Sequence, residues 1–88
     1  MTELIKKHLS EVLYEKRKTR KWSQELSAAK CGKSARQYGH LEKGESLPKT
    51  QTLIDLTIIY DIDLNQFIKE LVSDGYAVED REYEPRKK

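Results

Sequence analysis

Cysteine is nearly missing from this sequence. Cys31 stands alone among 88 residues, so no intramolecular disulfide and no multi-cysteine zinc site can form. It is expected to be a small buried hydrophobe in a reduced, intracellular protein. No apolar run reaches the 18 residues a spanning helix requires, which excludes a membrane helix. The opening MTELIKKHLSEV mixes acids with bases and has no apolar h-region, so no secretion signal is read there and a cytoplasmic location is expected. Catalytic constellations are missing as well. Gly32-Lys33-Ser34 imitates the end of a phosphate-binding loop, but position 27 is Ser rather than Gly and no strand precedes it. His8 and His40 fall on different helices without an evident carboxylate or cysteine partner, so neither a metal site nor a nucleophile–base pair is expected. The carboxylates Glu79, Asp80, Glu82 and Glu84 read as a solvated tail. No cofactor, no metal and no enzyme activity are expected. There is no internal repeat and no low-complexity segment, and the length is that of one domain with a modest core.

What is present is charge, unevenly placed. The formal net charge is only +2, yet residues 1–50 hold 12 Lys/Arg against 6 Asp/Glu, while residues 51–88 hold 5 against 9. A basic half suits a polyanionic partner. By itself, a charged fraction of 36% suits the solvated surface of any helical domain equally well.

The apolar residues recur at helical spacing. Leu4, Ile5, Leu9, Val12 and Leu13, with His8 on the same side, predict a helix over 2–20 that neither Pro nor Gly interrupts, with Thr2 as a cap. The basic cluster Lys16 to Lys21 ends its apolar face. Ser23 is placed to cap a second helix over 24–31, and Gly32 supplies the positive φ that ends it. Ser34-Ala35-Arg36-Gln37 is a capping box and announces a third helix over about 35–43, closed by Gly44. Leu53, Leu56, Ile59 and Tyr60 predict a fourth helix over 52–60, with a strand as the competing reading because Ile54, Thr57, Ile58 and Ile59 are β-branched. Asp63 caps a fifth, with Phe67, Ile68, Leu71 and Val72 as its apolar face and Gly75 at its end. These make residues 1–75 one all-α domain, followed by a polar tail over 76–88 in which Tyr76 and Val78 alternate as in a short strand.

From Leu9 to Phe67 the chain resembles the phage-repressor and Cro type helix-turn-helix family, also called the XRE family. The residues that carry the likeness are Arg17, Ser23-Gln24, Ala28, Gly32, Ser34, Tyr38 with Leu41, Glu42-Lys43-Gly44 and Pro48, then Leu53, Leu56, Tyr60, Ile62, Leu64 and Phe67, all in one register without a gap. Three positions depart from the family pattern. Ser27 replaces a large apolar residue, with Leu26 expected to rotate inward; Lys49 occupies the usual cap of the fourth helix, leaving Thr50 to cap; and Gly39 interrupts the third helix, where close approach of backbone to DNA is one reading.

The resemblance implies a five-helix lambda-repressor-like fold, double-stranded DNA as the partner, and a homodimer that represses transcription. In such a motif the third helix lies in the major groove and the second spans the backbone. Carried over by position, Ala35, Arg36, Gln37 and His40 read bases. Arg36 suits the O6 and N7 of guanine, Gln37 suits adenine, and the Ala35 methyl suits a thymine methyl. Gln24 and Lys43, with Lys21 and Lys33, would hold phosphates, and Arg17 and Glu42 would form an ion pair fixing the third helix. Trp22, Tyr38 and Leu41 are expected in the core. An antitoxin or adaptor, whose main partner is a toxin or another regulator, is the alternative; the acidic second half and the tail would serve it.

Overall fold

The computed structural model describes residues 1–78, which form five helices: α1 (Thr2–Arg20), α2 (Gln24–Lys30), α3 (Ala35–Glu42), α4 (Thr50–Tyr60) and α5 (Leu64–Ser73). No strand occurs among the described residues. The fold is all-α, as the spacing of apolar residues predicts. The strand alternative for residues 52–60 fails because Leu56 and Tyr60, one helical turn apart, are both fully buried, with Thr52 beneath them. Tyr76 is half-buried, and its amide donates to Leu71 O at 2.9 Å, which folds the chain back over the end of α5. No strand forms at Tyr76–Val78, and the carboxylates from Glu79 onward lie outside the described residues.

The core gathers on α1. Leu9 and Leu13 meet Ala28, Cys31, Tyr38, Leu41, Leu56, Tyr60 and Ile62, with Val12, Trp22, Leu53, Ile59 and Phe67 packed around them. Removing a side chain such as Leu13 from water contributes about 1.5–3 kcal/mol. α2 and α3 pack tightly because Ala28 has no side chain beyond Cβ and is 1% exposed. The turn between them closes through Gly32 at φ +68°, with the Lys33 amide donating to Ala28 O at 2.9 Å. Burial pushes the Cys31 thiol up and away from reactivity.

The local signals for helix starts are met unevenly. Ser23 accepts from the Leu26 amide and Asp63 from the Gln66 amide, each at 3.1 Å. Thr2 and Thr50 do not cap. Each is the first residue inside its helix, and the capping positions go to Met1 and Lys49, neither of which makes a side-chain bond there. Leu26 does not rotate inward either: it lies two residues from Ala28, on the opposite side of α2, and is 43% exposed. Ser27 itself is buried, with its hydroxyl unpartnered. His8 is buried on α1 with Nε2 2.8 Å from Asp74 Oδ2 at the end of α5, but the angle misses that of a hydrogen bond.

Candidate nucleic-acid interface

α3 is a short helix with two very different sides. One side is sealed: Tyr38 is 0% exposed, Leu41 7% and Glu42 8%. The other carries Ala35, Arg36, Gln37 and Lys43, all exposed, with His40 half-buried between them. Arg36, His40 and Lys43 fall on adjacent turns opposite Tyr38, so they form the outermost ridge of the helix.

The capping box sets the direction of this ridge. Ser34 Oγ accepts from the Gln37 amide at 3.1 Å, and Gln37 Oε1 accepts from the Ser34 amide at 3.0 Å. Gln37 therefore spends its carbonyl on the start of α3. A two-bond contact with adenine needs both carbonyl and amide of a glutamine, so it requires the cap to open.

Behind the ridge, a buried polar network ties α3 to the rest of the domain. Arg17 Nη2 donates to Glu42 Oε1 at 2.7 Å and Nε to Oε2 at 2.9 Å, while Nη1 donates to Trp22 O at 3.0 Å. The pair expected from the sequence is thus a forked contact of good geometry. The hydrogen bond to Glu42 raises the Arg17 guanidinium against its burial. Burial pushes the Glu42 carboxyl up, but hydrogen bonds from Arg17, Tyr38 and Gln24, with the Arg17 charge, together hold it below its ordinary value. The network ends at two tyrosines. Tyr38 Oη and Tyr60 Oη lie 2.6 Å apart, joining α3 to α4 in a site without solvent. Burial first, and then this bond, raise the Tyr38 hydroxyl far above its ordinary range, so it stays protonated.

Gln24 turns inward. Its Nε2 reaches Glu42 Oε1 at 3.5 Å, and its Oε1 lies over Gly39, 3.8 Å from where a Cβ would stand. Gly39 is accordingly buried between α2 and α3 rather than turned to the groove side. A Cβ there would make only an ordinary contact, so packing against α2 does not demand a glycine at this position.

Lys21 is exposed at the end of α1 in a left-handed turn at φ +58°. Lys33 lines a groove of about 340 Å³ beside α3, together with Gln37, His40, Glu45 and Lys49. Trp22 is half-buried rather than sealed: its ring stacks on Tyr60 at 5.8 Å, with Lys30 and Arg20 over it at 4.6 and 5.6 Å. Both histidines, read from the sequence as lacking a carboxylate partner, have one: Asp74 beside His8, and Glu45 Oε2 at 2.6 Å from His40 Nδ1. Neither carboxylate is on the same helix as its histidine, so helical spacing could not reveal them.

Residues 13–67 match the helix-turn-helix family model. The chain belongs to this family. The matched segment begins in α1, ahead of the Arg17–Glu42 pair, and ends on Phe67, so it takes in α2, the turn and α3 whole. This helix-turn-helix protein is a DNA-binding transcription regulator of the XRE type. No curated protein and no solved structure matches the chain. No described helix is long and apolar enough to cross a membrane, and no group of three or more metal-ligating side chains gathers among the described residues.

Proposed function

We propose that this helix-turn-helix protein is a sequence-specific repressor that acts in the cytoplasm as a homodimer and reads the major groove with α3. The observation that carries the reading is the ridge of Arg36, His40 and Lys43, which stands opposite a fully buried tyrosine on a helix anchored by a forked ion pair. Arg36 is the main reader, through guanine O6 and N7; His40 adds a second contact, Ala35 a methyl contact, and Gln37 a contact through its amide. Lys43, Lys21 and Lys33 meet phosphates, as does the start of α2 at Gln24, giving affinity without sequence information. The unit that binds is residues 1–75, with 76–88 as an appended tail.

So few hydrogen-bonding readers on one subunit favour a second. A bidentate pair discriminates by about 1–3 kcal/mol, whereas specific sites exceed non-specific DNA by about 4–10 kcal/mol. An apolar groove of about 180 Å³ supports the homodimer. It is lined by Ile5, Leu9, Leu47, Pro48, Leu53, Ile62, Leu64 and Phe67, and Ile68 and Val72 of α5 are more than half exposed beside Leu64. Repression needs no more than occupancy of the site.

A second reading, as an antitoxin or adaptor, draws on α4. Ile54 and Ile58 are 53% and 73% exposed on its outer side, with Asp55 and Asp61 close by in sequence. Selection of bound duplexes from a random pool separates the two. The repressor reading expects a two-fold symmetric consensus with half-sites about one helical turn apart. No enrichment, together with co-purification of one protein partner, would favour the adaptor.

A further inference from the structure

The two ring nitrogens of His40 can offer a base opposite things, and the loop after α3 decides which. Gly44, at φ +75°, turns the chain back, and a Cβ there would meet Ser10 Oγ at 3.4 Å and Lys6 O at 3.5 Å, so the turn is packed on α1. The turn brings the Glu45 amide to His40 O at 2.9 Å and Glu45 Oε2 to His40 Nδ1 at 2.6 Å. Glu45 is thus fastened to the same residue twice, once by backbone and once by side chain.

An ionised carboxylate can only accept hydrogen bonds. The hydrogen bond from His40 holds the Glu45 carboxyl below its ordinary value, so it is ionised at neutral pH, and the nitrogen facing it carries the hydrogen. A neutral imidazole has one N–H. With that hydrogen committed to Nδ1, Nε2 is left as an acceptor.

We propose that Glu45 is a positioning residue for sequence readout: by keeping the His40 proton on Nδ1 it presents Nε2 to the major groove as an acceptor, selecting a base with an exocyclic amine, adenine N6 or cytosine N4. This rests on α3 being the reading helix. Protonation of His40 makes both nitrogens donors, and the preference then moves to the acceptors of guanine or thymine. Besides Glu45, the charged groups bordering this corner are Arg36 one turn earlier, Lys43 at the end of α3, and Lys33 and Lys49, which share the groove with His40.

Two measurements test it. Nitrogen-15 spectra of the free protein at about pH 8, where an ordinary histidine is neutral, are expected to show His40 as the Nδ1–H form, with Glu45→Ala shifting it toward Nε2–H. An Nε2–H form in the unmodified protein overturns the proposal, as does an unchanged tautomer in Glu45→Ala. The second measurement titrates a panel of duplexes varied one base pair at a time around the selected site. At about pH 8 one position is expected to favour adenine or cytosine by about two- to tenfold, the worth of one hydrogen bond. Glu45→Ala abolishes that preference. If His40→Ala leaves the panel unchanged while Arg36→Ala alters it, α3 reads DNA without His40 and this proposal alone fails. If neither alters it, α3 is not the reader and the proposed function fails too, whatever the tautomer in the free protein.

Discussion

At the scale of single residues, Arg17 and Glu42 determine how firmly α3 is held. Removing one member of a buried pair leaves the other charge without compensation in a desolvated place, a loss of about 3–5 kcal/mol. Glu42→Ala is therefore expected to lower stability by that order in urea unfolding, and to weaken DNA binding through the loosened helix; unchanged stability would contradict the account. The pair also has a pH signature. Because the folded state holds the Glu42 carboxyl below its ordinary value, its contribution is present above the ordinary carboxylate range and is lost as pH falls through the depressed folded value. Acid unfolding of the native protein should show this loss, and Glu42→Gln should lack it. The tyrosine pair makes a separate prediction. Tyr38→Phe leaves the Tyr60 hydroxyl buried and unpaired, at about 1–3 kcal/mol. The double Phe variant should lose clearly less than the sum, and strict additivity in the cycle would show that the 2.6 Å contact contributes nothing.

At the scale of elements, α3 is defined by what it packs on. Gly39→Ala places a Cβ at ordinary contact distance, 3.8 Å from Gln24 Oε1. Helix propensity then favours alanine by about 0.8–1 kcal/mol, and a gain of that order is expected in urea unfolding. A loss would mean that α2 and α3 are closer than the 3.8 Å gap allows. The elements themselves were largely legible in the sequence, because capping acts within three residues: Ser23, Ser34 and Asp63 each bond the amide three positions on. Stops without glycine were read from where the apolar pattern ends, at residues 20 and 60, and there Lys21 and Asp61 turn the chain at φ +58° and +51°. The outward side of α3 was legible at helical spacing, which placed Arg36, Gln37, His40 and Lys43 on exposed or half-buried positions. Its polar fastenings were not, because they depend on where a turn or a distant helix brings a partner. Gln37 folded back on Ser34, Gln24 turned to Glu42, Glu45 brought round to His40, and Tyr60 brought to Tyr38 are all of this kind.

At the scale of the whole molecule, the five helices separate two surfaces. The α3 ridge belongs to the basic half of the sequence, and the apolar stripe of α5 to the acidic half. Ile68 is 54% exposed, so Ile68→Glu should leave the fold intact while dissociating the proposed dimer in sedimentation. Intact dimers in that variant would remove α5 from the interface. The claim on which everything else depends is that α3 reads DNA, and the most direct measurement is the salt dependence of duplex affinity for two variants of its ridge. Arg36→Ala should relax base preference at one position by about 1–3 kcal/mol, whereas Lys43→Ala should weaken all sequences alike and reduce the salt slope by about one. Unchanged affinity for the selected site in both variants would contradict the account.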